Sequence, residues 1–277
     1  MTEEKRMLIG VLGPEGTYSE IAALALGFPE DALCYFTTIE DVAHNLVTRQ
    51  LDCGVIPLEN SIEGSVGSAL DVLFATPLQI VREIIIPIRH FLAALEGADV
   101  HVVYSHWQAI AQCSAFLRAF GRKVIAVSST SEAARMASED RQAAAIASSR
   151  AIELHHLRVI EADVQDVKEN FTRFVVLARR GGQLAMQENM KTSIVLELRR
   201  NRPGALYEVL REFAERQLNL TKIESRPAKR SLGEYVFYID LEGSASDAAV
   251  LSAFDALQPH VSRLKVLGTY QSRAETP

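Results

Sequence analysis

Cysteine is scarce in this 277-residue chain. Cys34, Cys53 and Cys113 are odd in number and nowhere spaced as C-x-x-C, so neither a disulfide framework nor a zinc knuckle is indicated. No apolar run approaches the ~18 residues of a membrane helix. Residues 1–6 are polar and mixed in charge, and the apolar run at 7–12 is too short for a signal sequence and meets Gly13-Pro14. A soluble, reduced, cytoplasmic protein is expected, in which the sequons at Asn170 and Asn219 are chance matches. An excess of positive charge is also missing. The formal charge is −6 and the pI about 5.7, which argues against nucleic acid as a partner. With 15 glycines and 9 prolines the chain is not of low complexity, and the seven histidines are too scattered for a metal site.

What is present is an ordinary globular composition, 48% hydrophobic and 23% charged, at a length that suits two domains. Short apolar runs alternate with helical patterns. Strands are predicted at 7–12, 33–36, 53–56, 80–88, 101–104, 124–127, 143–146 and 174–178. Helices are predicted at 17–26, 38–49, 65–74, 107–120 and 129–137, the second with Ile39, Val42, Leu46 and Val47 on one face. This alternation predicts an α/β domain of mostly parallel strands in two lobes, with a cleft between them for a small molecule.

Regular periodicity lapses after Arg179. We place a first domain at 1–180, a linker at 181–190 and a second domain at 191–271. The second domain reads as strand 193–198, a helix with Pro203 in its first turn running to Gln217, strands 218–223 and 234–241 around a turn at 229–233, helix 246–257 and strand 261–267. This is a ferredoxin-like βαββαβ plan with a polar, frayed tail.

Candidate chemistry lies at strand ends. Gly10, Gly13 and Gly16 follow a strand and open a helix, but Leu12 stands where a dinucleotide fingerprint needs glycine. They serve as a tight turn, or the helix start with Thr17 and Ser19 holds a carboxylate. Residues 57–64 form a polar loop presenting Glu59, Asn60 and Ser61, or an ordinary turn with a cap. Ser105-His106 ends a strand, with Gln112 two turns further along; adjacency and the lack of G-x-S-x-G argue against a serine hydrolase. Trp107 reads as packing. The run 128–131 is an N-cap or a second anion pocket. Asn170-Phe171-Thr172-Arg173-Phe174 starts a strand, either as an ordinary strand start with a polar edge or with side chains pointing into the cleft, and alternation turns Arg173 away from Thr172.

These motifs resemble prephenate dehydratases. Asn170 to Phe174 is similar to their Thr-Arg-Phe signature, Gly13 to Ser19 to their opening loop, and Pro57 to Ser61 and Ser105 to Cys113 to two further blocks in the same order. Trp107 stands where proline is usual. The C-terminal part resembles an ACT domain, through Pro203-Gly204-Ala205-Leu206 and Glu224-Ser225-Arg226-Pro227. The resemblance implies a two-lobed periplasmic-binding-protein-like catalytic domain followed by the ACT domain. It implies decarboxylating dehydration of prephenate to phenylpyruvate without cofactor or metal, driven by aromatisation. Catalytic roles pass to Thr172, Glu59, Asn60, Ser105 and Gln112, and substrate contacts to Thr17, Ser19, Ser61, Arg173 and Phe174. The eight ACT residues, Pro203, Gly204, Ala205, Leu206, Glu224, Ser225, Arg226 and Pro227, are implied to bind L-phenylalanine across subunits of a homodimer or homotetramer. No chorismate mutase helix is seen, so a monofunctional enzyme is expected. The rivals are an arogenate dehydratase, a prephenate decarboxylase without dehydration, which Thr172 counts against, and a non-catalytic two-lobed binding protein with an ACT sensor.

Overall fold

The computed structural model describes residues 7–179, 189–229 and 234–271. The expected linker and the tip of the 229–233 turn fall almost wholly outside them, as does the tail beyond Gln271. The described chain forms two compact units, one of residues 7–69 and 84–174, the other of residues 70–83 and 175–271.

The first unit has two lobes. Its first lobe begins with β1 (Ile9–Leu12), α1 (Tyr18–Ala25), β2 (Leu33–Phe36), α2 (Ile39–Val47), β3 (Cys53–Asn60) and the short β4 (Gly64–Ser65). Helix α3 (Gly67–Ala75) and strand β5 (Leu78–Pro87) lie partly in this unit and partly in the second. β1 runs parallel to both β2 and β3. Helix α2 is opened by Thr38, whose Oγ1 accepts from the Asp41 N–H at 3.0 Å, and it buries Ile39, Val42, Ala43 and Leu46. Val47, expected on that face, is exposed: eight residues past Ile39, the 100° step has carried it off the apolar stripe. β3 runs through Pro57 to Asn60 rather than stopping at Ile56. Leu58 is buried, and β4 folds back antiparallel against Glu59 and Asn60. The expected polar loop is therefore a strand end and a hairpin.

The second lobe comprises β6 (Phe91–Ala94), β7 (Val102–His106), α4 (Trp107–Gln112), α5 (Ser114–Phe120), β8 (Lys123–Val127), α6 (Thr130–Glu139), β9 (Ala143–Ala147), α7 (Ser149–Leu154) and β10 (Arg158–Glu161). Its sheet order is β10-β6-β9-β7-β8. β7 is parallel to β8 and β9, and β6 is antiparallel to β9 and β10. β9 is buried along its whole length, and Ala143, Ala145 and Ala147 pack against Ala133, Ala134 and Ala137 of α6. Alanine on both sides lets helix and sheet approach closely. The chain returns to the first lobe as β11 (Phe171–Arg179), where the first unit's strand order is β5-β11-β3-β1-β2.

The single helix expected at 107–120 is two. Cys113 breaks it, and Asp166 caps the new start, accepting from Ser114 Oγ at 2.9 Å and the Ala115 N–H at 3.1 Å. β6, α7 and β10 had no counterpart in the sequence reading.

The second unit contains β12 (Met190–Leu198), α8 (Ala205–Ala214), β13 (Leu220–Pro227), β14 (Tyr235–Glu242), α9 (Ala248–Leu257) and β15 (Val261–Gln271), in the order β13-β14-β12-β15, all antiparallel. This is the ferredoxin-like βαββαβ plan. Ile194, Leu196, Val209, Phe213, Ile239, Val250 and Phe254 form its core. Pro203 is not in the first turn of α8. Gly204, with φ +83°, caps the helix in a left-handed conformation that only glycine adopts cheaply, and the helix starts after it. Residues 70–83 pack within this unit. Lys265 Nζ donates to the carbonyls of Leu73, Phe74 and Thr76, Tyr238 Oη donates to the Leu70 carbonyl at 2.9 Å, and Lys229 pairs with Asp71 at 2.6 Å.

Candidate active site

A cavity of about 410 Å³ opens between the two lobes of the first unit. Its walls come from four places: the β1–α1 turn (Leu12, Gly13, Thr17, Tyr18, Ser19), the β3 end and following turn (Pro57, Asn60, Val66), the β5–β6 connection (Ile88, His90) with Thr172 and Phe174 of β11, and the second lobe (His106, Gln108, Ala109, Gln112, Ser128, Ser129, Thr130). The lobes meet beside it. Ser131 Oγ donates to the Glu15 carbonyl, Ser148 Oγ donates to the Gly16 carbonyl at 2.6 Å, and Arg150 pairs with fully buried Glu20 at 2.7 Å.

None of the described lining residues is Asp, Glu, Lys or Arg. Burial pushes the His90 and His106 imidazoles below their usual 6.5 and pushes the Tyr18 phenol up, so all three are neutral at pH 7. The N-termini of α1 and α6 open on the wall with their first residues, while Glu20 in the first turn of α1 accepts from the Gly16 N–H and pairs with Arg150.

Asn60 and Thr172 sit side by side because their strands are neighbours. Asn60 Oδ1 accepts from the backbone N–H groups of Ile62 and Glu63 at 2.9 and 3.0 Å. Its Nδ2 donates to Thr172 Oγ1 at 2.9 Å and Asn170 Oδ1 at 2.8 Å. Thr172 Oγ1 thus accepts a hydrogen bond and keeps its own proton for the cavity.

The structure brings Thr17, Ser19, Asn60, Gln112, Thr172 and Phe174 together on the cavity wall. It does not place Glu59, Ser61, Ser105 or Arg173 there. Glu59 and Arg173 alternate away from Asn60 and Thr172 and approach each other at 3.6 Å. Ser61 Oγ accepts from the Phe171 N–H at 2.9 Å. Ser105 is fully buried, its hydroxyl donating to the Ile146 carbonyl at 2.7 Å. The Thr17 hydroxyl proton is committed to the Leu12 carbonyl at 2.7 Å. Trp107 is 62% exposed and stacks at a tilt on His106, so it is neither core nor cavity wall. The glycines are not a phosphate loop: Gly10 packs under Val42 and Leu51, and Gly16 (φ +86°) turns against Ala151. His90, Tyr18 and Gln108 were not foreseen. No local pattern marks them, and only the tertiary fold turns them to the cavity.

In the second unit, Gly204 caps α8, while Glu224 and Arg226 share the partly buried face of β13 with Lys222. Arg226 lies 3.8 Å from Asp71 and 4.0 Å from Glu224. None of the eight residues assigned to phenylalanine lines the nearby cavity of about 280 Å³, whose walls include Leu198, Asn201, Ala228 and Phe237.

A family model described as prephenate dehydratase matches residues 9–182, and one described as ACT domain matches residues 192–258. The bifunctional chorismate mutase/prephenate dehydratase of Aquifex aeolicus is 41% identical, over 96% of this chain and 74% of that protein. The prephenate dehydratase of Methanocaldococcus jannaschii is 38% identical, over 93% of this chain and 95% of its own length. A solved structure from Arthrobacter aurescens, described as prephenate dehydratase in complex with L-Phe, matches with a TM-score of 0.88 at 31% identity, covering 98% of this chain and 92% of that one. The chain belongs to the prephenate dehydratase family and carries an ACT domain after its catalytic domain.

Proposed function

We propose that the chain converts prephenate to phenylpyruvate in the uncharged cavity, with Thr172 donating a hydrogen bond to the departing C4 oxygen. The observation that carries this reading is the Thr172 hydroxyl, which accepts from Asn60 and so has its proton free. As the C1–CO₂ bond breaks, its electron pair moves through the ring and expels the C4 oxygen, which takes up one proton from solvent and leaves as water, so the charge of the ring carboxylate is dispersed in the transition state. A wall without Lys or Arg leaves that carboxylate without an ion pair to break, while departure of the C4 oxygen is aided by one aimed donor. Aromatisation supplies the driving force, so no cofactor enters. The substrate's other carboxylate lies by Ser19 and the N-terminus of α1, and the α6 N-terminus with Ser128, Ser129 and Thr130 lines the opposite lobe.

Gln112 donates to substrate oxygen and Phe174 packs on the ring. Glu59 with Arg173, Ser61 and Ser105 act from behind the wall: they hold β3, β11 and β7 in place through the contacts described above. L-phenylalanine is the effector of the ACT domain, taken by residues 203–206 and 224–227, where the left-handed Gly204 lets a ligand approach the backbone. The protein works as a cytoplasmic homodimer or homotetramer.

The test is phenylpyruvate formation from prephenate, and phenylalanine formation from arogenate, each with and without L-phenylalanine. Turnover of prephenate that falls with L-phenylalanine supports the reading. Turnover of arogenate alone moves the substrate to the amino analogue. Thermal stabilisation by prephenate without any turnover leaves a binding protein.

A further inference from the structure

We propose that His90 is a positioning residue that acts through Gln112, at the end of a one-way hydrogen-bond chain starting from the backbone after Asn60. The inference rests on the substrate reading above. The backbone N–H groups of Ile62 and Glu63 can only donate, so the Asn60 atom facing them is its oxygen. The Asn60 NH₂ group then faces Asn170, whose nearer atom is its oxygen, 2.8 Å away. The Asn170 NH₂ group, in turn, faces Gln112 Oε1 at 3.2 Å. Gln112 Oε1 also meets His90 Nε2 at 3.0 Å, so that nitrogen carries the proton.

Each amide and the imidazole tautomer are thereby set without reference to hydrogen positions. Two consequences follow. The Gln112 oxygen has both acceptor sites filled, which leaves its NH₂ group as a donor for the cavity. His90 is left with a bare Nδ1 that is buried and has no partner among the described residues, in a residue only 3% exposed. The His90 ring is held edge-on to Tyr18, with centroids 6.2 Å apart, and its backbone N–H donates to Gln165 Oε1 at 2.9 Å. The ring therefore has a fixed place from which Nε2 reaches Gln112.

Three substitutions separate this role from packing. In His90→Gln the amide nitrogen reaches the place of Nε2, in His90→Asn only that of Nδ1, and His90→Leu has neither. We expect kcat/KM to stay within about threefold of wild type for His90→Gln and to fall roughly tenfold for His90→Asn and His90→Leu, the scale of one hydrogen bond. In a Gln112→Ala background, His90→Asn should cost nothing further, because its effect passes through Gln112. Equal losses for Gln and Asn, or full additivity with Gln112→Ala, would overturn the proposal. A readout independent of turnover is the imidazole ¹⁵N spectrum, with the His90 signals assigned by their loss in His90→Gln. Protonation at Nε2 supports the chain and protonation at Nδ1 alone refutes it, whether or not prephenate is the substrate.

Discussion

At Thr172 the chemistry turns on the direction of one hydrogen bond. A neutral hydroxyl is a poor acid, but a buried one whose oxygen already accepts from Asn60 Nδ2 keeps its proton available as a donor. Replacing Asn60 by Asp keeps an acceptor for Ile62 and Glu63 and removes the donor to Thr172. We expect Asn60→Asp to lose about 100-fold in kcat and to lower the thermal midpoint, because its second oxygen would face the oxygens of Asn170, Phe171 and Thr172; undiminished kcat would contradict the assigned direction. A second residue-scale prediction concerns pH. Burial holds the His90 pKa below 6.5 in the folded chain, so between those values the unfolded chain binds more protons. Stability is therefore complete above pH 6.5 and declines as pH falls toward the lowered value. The thermal midpoint of His90→Gln should drop less than that of wild type between pH 7 and 5, with His106 and His155, also lowered by burial, contributing to the slope that remains. Equal slopes would show that His90 is not a source of the decline. Strand alternation already turned Arg173 away from Thr172, and that much was legible in the sequence. That Asn170 and His90 both meet Gln112 was not, because those contacts join residues 58 and 22 positions apart.

Helix α2 was legible because burial and period coincide, and β12 and β14 of the second unit because each is a continuous buried run of strand length. Those that escaped have physical reasons. α7 spans six residues and β6 four, too few to establish a period, and β10 is exposed along its length, so no apolar pattern marks it. The break between α4 and α5 is invisible locally, since its cap, Asp166, lies beyond three further strands. Removing this cap as Asp166→Ala should lower stability by about 1 kcal/mol, read by denaturant unfolding. No change would mean that Cys113 breaks the helix without help. Gly16 makes a sharper case. A Cβ there, at φ +86°, would lie 2.9 Å from Ala151 Cα and 2.8 Å from Ser131 Oγ. Gly16→Ala should therefore cost roughly 1–3 kcal/mol by overpacking, with added backbone strain. A midpoint equal to that of wild type would show that the lobes yield at this contact.

For the whole molecule, the alternation of strands and helices and the βαββαβ pattern announced two kinds of domain in the sequence itself. They did not announce that residues 70–83 belong with the C-terminal unit, because α3 and β5 read as ordinary members of the first α/β series. Within the second unit the carbonyls at the end of α3 are held by Lys265, and Asp71 of the same helix pairs with Lys229 and approaches Arg226. L-phenylalanine bound to this unit should raise its melting temperature as well as inhibit, by mass action on the bound form. Unchanged midpoint and rate at saturating L-phenylalanine would remove the effector assignment. The central claim is the donor role of Thr172, and the most direct measurement is the kcat of phenylpyruvate formation from prephenate by Thr172→Ser and Thr172→Ala. Serine, which keeps the hydroxyl, should retain much of the rate, while alanine should lose ~100- to 1,000-fold with its fold intact. An alanine variant as fast as wild type would contradict it.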